Sequence, residues 1–333
     1  MMWLNAIYII IGVTMVLWGA DRLTDAASNL ARRMRIPEII IGLTIVAAGT
    51  SAPELFVSLM SAIKGTADLA VGNVVGSNVF NAMLIVGCSA AVAPMVISPS
   101  TVKKDIPFAV VASVLLYAAC MDGWSSPHLW GNEISRIDGA VLLCGFIIFM
   151  VYTFRQARKS GALKSSAEYE AERIEQENAG ELHLPAFWTN VLWIFVGLFC
   201  LIFGSNIFVD AASAVAVHFG IKQSVIGLTI VAGGTSLPEL ATSIVAARKG
   251  KSALAIGNAL GSNVFNILLI IGLTAVVHPM RIIGITIVDL TAMLVSIGLV
   301  WMFAYTKYTV SRREGILLVL GFLCYMGWLL YTI

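Results

Sequence analysis

Long apolar runs separated by short polar turns make up most of this 333-residue chain. A bilayer-spanning helix needs ~20 mostly apolar residues, and fewer where neighbouring protein shields its ends. By that measure the pattern predicts ten helices, at 2–27, 37–63, 69–97, 106–121, 138–154, 187–215, 223–247, 253–278, 282–305 and 314–333. Between the fifth and sixth lies the one sizeable polar stretch, Arg155 to Pro185, where Glu168, Glu170, Glu172, Glu175 and Glu177 mix with Arg158, Lys159, Lys164 and Arg173. Such a mixture reads as a solvated linker, too short to be a domain.

The apolar text repeats itself. From Ile40/Val225 to Met95/Met280, 34 of 56 positions are identical at a constant offset of 185, without a gap. The match reaches back into the first and sixth helices, where Gly19 and Asp25-Ala26-Ala27-Ser28 return as Gly204 and Asp210-Ala211-Ala212-Ser213. Five predicted helices precede the linker and five follow it. An odd number per half places the second half upside down relative to the first, the inverted-topology repeat of secondary transporters. The expected fold is therefore an all-α membrane protein of ten transmembrane helices in two inverted five-helix repeats, with broken helices at the centre. The first repeat covers 1–154 around its repeated core 37–97, the linker 155–186, and the second repeat 187–333 around 223–280.

Composition agrees with a membrane class. The chain is 59% hydrophobic and 12% charged, against roughly 25% charged in soluble domains. The net charge of +2 says little, but the placement of the basic residues says more. Sixteen Lys and Arg fall in the turns after the odd-numbered helices and four in the opposite turns. The positive-inside bias then puts the linker in the cytoplasm and both termini outside. No Lys or Arg precedes Arg22, so the basic start of a cleaved signal peptide is missing and the first segment is expected to stay as a membrane helix. The five cysteines lie in or at the ends of apolar runs without CxxC spacing and read as packing residues.

Candidate chemistry sits inside the repeat. Ala47, Thr50, Ser51 and Glu54 fall at i, i+3, i+4 and i+7, one face of a helix. Pro53 removes a backbone donor and blocks the carbonyl of Gly49, so a break is expected there, with carbonyls near Ala47 freed toward a cavity. Ala232, Thr235, Ser236 and Glu239 repeat the face, with Gly234 and Pro238 repeating the break. Asn73, Ser77 and Asn81 form a second face, repeated by Asn258, Ser262 and Asn266. Together these supply two carboxylates, amide oxygens, hydroxyls and carbonyls, without His or Cys. Hard cations such as calcium and sodium take such oxygen ligands, whereas zinc or copper wants nitrogen or sulfur. A charged side chain at the helix centre costs ~2.5–3.5 kcal/mol even on lenient insertion scales, so a glutamate at matching places in both halves points to function. Gly72/Gly76 and Gly257/Gly261 read as close-packing motifs. Asn78 and Asn263, off the ligand face, read as packing or helix-bonding groups, Asp25 and Asp210 as interfacial, and Asp289 as structural.

The segments GTSAPEL with GNVVGSNVFN, and GTSLPEL with GNALGSNVFN, resemble the α-repeats of the cation/calcium antiporter superfamily, prokaryotic sodium/calcium exchangers above all. That resemblance implies ten helices, central ion sites in the repeats, and first and sixth helices that slide across them as a gate. By position it implies ion ligands at the Ala47 carbonyl, Thr50, Ser51, Glu54, Ser77 and Asn81, and at the Ala232 carbonyl, Thr235, Ser236, Glu239, Ser262 and Asn266. Asn at both 81 and 266, where potassium-dependent relatives carry Asp, speaks against potassium coupling. The acidic residue that proton-coupled relatives carry shortly after the Gly-Asn is missing after Asn73 and Asn258. The short linker leaves no room for the calcium-sensing domains of animal exchangers.

The expected function is a secondary antiporter exchanging calcium for sodium by alternating access in a prokaryotic cell membrane. Its partners are those two ions and the lipid bilayer, with no cofactor, no nucleic acid and no obligate protein partner. A calcium/proton antiporter is the rival, since a buried Glu binds a proton as well as sodium. A channel would need no counter-ion. A hydrolase lacks its Gly-x-Ser-x-Gly elbow or metal-binding His pair.

Overall fold

The computed structural model describes residues 2–121, 133–163, 185–220, 230, 232–282 and 284–331. It is almost wholly helical. In chain order the main helices are α1 Met2–Arg33, α2 Glu38–Thr50, α3 Ala52–Ile63, α4 Ala67–Val92, α5 Thr101–Met121, α6 Arg136–Leu163, α7 Phe187–His218, α8 Ala232–Thr235, α9 Leu237–Arg248, α10 Ser252–Val277, α11 Ile287–Lys307 and α12 Arg312–Tyr331. Among the described residues, eight helices are long and apolar enough to cross a membrane, and the bent pair α2–α3 makes a ninth span. The predicted helix 223–247 begins in residues outside the described set, as does most of the polar linker.

Two helices lie back to back along one side. α1 and α7 run antiparallel with glycines at their crossing points, where a Cβ on Gly12 would stand 2.7 Å from the Gly204 carbonyl oxygen and one on Gly19 2.8 Å from that of Gly197. Only glycine lets two helix backbones approach this closely. Gly257 and Gly261 bring α10 equally close to α2: a Cβ there would meet the Ile39 carbonyl at 2.7 Å and the Leu43 Cα at 2.8 Å. The equivalent neighbours of Gly72 and Gly76, residues 224 and 228, lie outside the described set.

The expected break is present. α2 and α3 meet at Ser51 with a 47° bend, and Pro53 sits in the first turn of α3, where a missing N–H costs nothing. Ser236 stands at the same place between α8 and α9, with Pro238 following. The carbonyl that Pro238 strips of its helical donor, that of Gly234, accepts a 2.6 Å hydrogen bond from the Ser205 hydroxyl of α7. The Ala47 carbonyl, by contrast, is not freed: it still accepts from the Ser51 amide at 3.0 Å, because Pro53 acts on Gly49 instead.

Each repeat also carries wider, π-helical turns, at Gly42–Val46 in α2, Phe80–Ile85 in α4 and Phe265–Ile271 in α10. An inserted residue of this kind rotates the following face and recurs at functional sites. α5 and α6 are longer than the apolar pattern predicts. Ser135 caps α6 by bonding Asp138 through its amide (2.8 Å) and hydroxyl (2.7 Å). Asp289, expected to be structural, closes the same kind of box with Thr286 at the start of α11 and accepts from the Tyr325 hydroxyl at 2.9 Å. Two short antiparallel bridges tie the turns: β1 Met95–Val96 pairs with β4 Thr309–Val310, and β2 Glu133–Ile134 with β3 Met280–Arg281.

Candidate cation chamber

The two broken helices meet where the repeats touch, and they cross-connect. Ser236, at the break of the second repeat, donates to Glu54 Oε1 of the first at 3.0 Å. Ser51, at the break of the first, mirrors it and donates to Glu239 Oε1 of the second at 3.0 Å. Ser236 Oγ also lies 3.1 Å from Ser77 Oγ. Both glutamates are 1% exposed, so no bulk water screens their carboxylates.

Around this crossed pair stand oxygens without hydrogens to satisfy them. Among the described residues, Glu54 Oε2, Glu239 Oε2, Asn81 Oδ1, Asn266 Oδ1 and Ser262 Oγ are buried with no hydrogen-bond partner. Buried polar atoms are nearly always paired, and each orphan costs ~1–3 kcal/mol. These five, of sixteen such oxygens among the described residues, all belong to the repeated motifs and lie on four helices and both repeats. The donor set is carboxylate, amide and hydroxyl oxygen, the set hard cations take. Among the described residues these carboxylates make no ion pair, in contrast to Asp21 and Asp25, which pair with Lys249 (2.6 and 2.8 Å), Asp25 also with Lys251 (2.9 Å).

Of the twelve residues predicted for the site, five are brought into two hydrogen-bonded groups that each span the repeats, Ser51 with Glu239, and Ser236 with Glu54 and Ser77. Asn81, Ser262 and Asn266 are buried on the helices flanking it. Thr50 is fully buried in α2, its hydroxyl 3.1 Å from the Val46 carbonyl and 3.4 Å from that of Ala47. Ala232 and Thr235 bound α8, the short helix that leads into Ser236. Asn78, expected to pack or to bond between helices, accepts from Asn266 at 3.4 Å, and Asn263 is buried with its Oδ1 unpartnered.

Sequence reasoning placed Asn73 and Asn258 on the ligand face and gave them no individual role. Their side-chain amides prove to be duplicated fixtures. Asn73 Nδ2 donates to the Glu54 carbonyl (3.4 Å) and to Ser58 Oγ (3.0 Å), and Asn258 Nδ2 to the Glu239 carbonyl (3.3 Å) and to Ser243 Oγ (2.9 Å). The identity of Ser58 with Ser243 at the repeat offset was the signal available. Ser205 had none, because its counterpart is Ala20.

Apolar helices enclosing a buried chamber of oxygens define a multi-pass membrane transporter. The chain belongs to the sodium/calcium exchanger protein family, whose model matches residues 4–155 and 189–331. It is thus an exchanger-type antiporter and not an enzyme. It is 37% identical to the inner membrane protein YrbG of Escherichia coli K12 over 81% of this chain and 79% of that one. It is 28% identical to the sodium/calcium exchanger MaX1 of Methanosarcina acetivorans over 99% and 100%. Its fold matches a solved structure of the sodium-calcium exchanger NCX_Mj with a TM-score of 0.80 and 25% identity, covering 98% of this chain and 99% of that one.

Proposed function

We propose that this protein exchanges calcium for sodium across a prokaryotic cell membrane by alternating access. The observation that carries the proposal is the pair of buried glutamates, each with one oxygen fixed by the other repeat's serine and one left without a partner. The cargo ligands are the Ala47 carbonyl, Thr50, Ser51, Glu54, Ser77 and Asn81, with the Ala232 carbonyl, Thr235, Ser236, Glu239, Ser262 and Asn266. Ala47 can serve although its carbonyl already accepts one amide, because a carbonyl oxygen carries two lone pairs.

Charge explains why exchange rather than leak follows. With both glutamates ionised, one calcium or two sodium ions neutralise the chamber. The loaded chamber can be carried through the low-dielectric layer, while an empty, doubly negative one is held back by its solvation cost. A third sodium would add one net charge and make transport sensitive to voltage, at ~2.3 kcal/mol per charge per 100 mV. The frame is ten spans in two inverted repeats, 1–154 and 187–333, joined by a cytoplasmic linker at 155–186, with both termini outside.

Calcium uptake into proteoliposomes tests this directly. Uptake should follow an outward sodium gradient and not an outward proton gradient of equal size. Uptake driven by protons alone would establish the calcium/proton antiporter instead.

A further inference from the structure

Asn258 is fully buried in α10, and both hydrogens of its amide are committed, one to the Glu239 carbonyl at 3.3 Å and one to Ser243 Oγ at 2.9 Å. That fixes which way the amide faces. Its oxygen points across the repeat boundary to Thr50 Oγ1, 3.2 Å away. The same hydroxyl lies 3.1 Å from the Val46 carbonyl and 3.4 Å from that of Ala47. The Glu239 carboxylate is a fourth acceptor, on the chamber side. Four acceptors therefore compete for one hydroxyl, which has a single hydrogen to give.

Where that hydrogen goes decides what Thr50 offers to a cation. Directed inward it would repel the ion; directed outward it leaves the oxygen's lone pairs free for it. We propose that Asn258, which is not among the ion ligands, is a positioning residue that holds the Thr50 hydroxyl hydrogen out of the chamber. Its amide is anchored on the Glu239 carbonyl and Ser243 Oγ, and that anchorage aims its oxygen at the Thr50 hydroxyl. The amide frame is duplicated at Asn73, which holds the Glu54 carbonyl and Ser58 in the same way. The simpler alternative is that the Val46 carbonyl alone takes the Thr50 hydrogen, as threonine in a helix often does to the residue four back. Asn258 would then only pack.

The proposal rests on the reading of Thr50 as an ion ligand, and a double-mutant cycle keeps the two apart. Equilibrium calcium binding and sodium-driven calcium uptake are measured for the full-length protein and for Asn258→Leu, Thr50→Val and the double variant. Asn258→Leu should weaken calcium binding about five- to tenfold, the scale of one lost neutral hydrogen bond, and raise the half-saturating calcium concentration alongside. The double variant should bind no more weakly than Thr50→Val alone, because the amide acts through that hydroxyl. Unchanged calcium affinity in Asn258→Leu with weakened affinity in Thr50→Val overturns the proposal while leaving the ion-site reading intact. So do losses that simply multiply in the double variant. Unchanged affinity in Thr50→Val removes Thr50 from the site and the proposal with it. Should Asn258→Leu fail to fold, Asn258→Ser, which withdraws the amide without burying a larger apolar group, takes its place in the cycle, and the same pattern of affinities supports or overturns the proposal.

Discussion

Replacing Glu54 or Glu239 by Gln keeps the shape of the chamber and removes one of its two charges. The structure makes the consequence specific. Each Oε1 is held by the opposite repeat's serine at 3.0 Å, so that contact survives in a glutamine that places its own oxygen there. The Nε2 group then falls at the Oε2 position, which has no hydrogen-bond partner in the native chain and stands where the cation is proposed to bind. A charge lost at 4 Å is worth about 4 kcal/mol at an effective dielectric near 20, an upper-range figure for this burial. Since each 1.4 kcal/mol is roughly tenfold, calcium affinity should fall by as much as about three orders of magnitude. The comparison variant is Thr44→Val. Thr44 bonds the Ile40 carbonyl at 2.6 Å and lines an apolar crevice of about 620 Å³ between α2 and α6, away from the serine–glutamate network. Calorimetric calcium binding and sodium-driven uptake, run on all three variants in parallel, form the assay. Near-normal affinity and exchange in either Gln variant would refute the reasoning, since no neutral arrangement of these residues offsets a divalent charge.

Three further outcomes are expected. A cysteine at Ser166, in the linker, should be labelled by an impermeant thiol reagent only from the cytoplasmic side; labelling only from outside would invert the topology and break the inverted-repeat argument. Calcium flux should be indifferent to replacing potassium by an inert cation at fixed voltage, because Asn81 and Asn266 carry no charge for it; an absolute potassium requirement would refute that. Ser205→Ala should leave the Gly234 carbonyl unpaired beside the break and destabilise the protein by roughly 1–3 kcal/mol, read as a lowered thermal midpoint; an unchanged midpoint would show that the carbonyl finds another donor.

Much of what the structure brings together at the two helix breaks was legible because its signals are local. The spacing of Thr50, Ser51 and Glu54, the Pro53 break and the return of each at the repeat offset are all properties of short stretches, and short stretches obey helical periodicity. What periodicity cannot carry is partnership between stretches. That Ser51 serves Glu239 and Ser236 serves Glu54 depends on how two helices cross, and the sequence suggested only that each serine shared a face with its own glutamate. The π-helical turns were invisible for a related reason: they insert one residue into a pattern whose side chains remain apolar on either side. The freeing of Ala47 was misplaced by local logic alone, since proline acts on the carbonyl four residues back and that residue is Gly49. The length of α6 was hidden by polarity: residues 155–163, RQARKSGAL, continue the helix past the end of its apolar run.

The glycine crossings between α1 and α7 reach further than packing. Two helices whose backbones touch at Gly12/Gly204 and again at Gly19/Gly197 cannot shear past one another without lifting a carbonyl over a Cα at both places. That close fit ties them into one rod. Its α1 member lies against α9 and its α7 member against α2, α8 and α9, so a single moving part borders both broken helices. Under the alternating access proposed above, it would form an airlock with one door leaf shared by two doorways. Uncovering one doorway would draw the leaf across the other, with no separate timing device needed to keep both from standing open together.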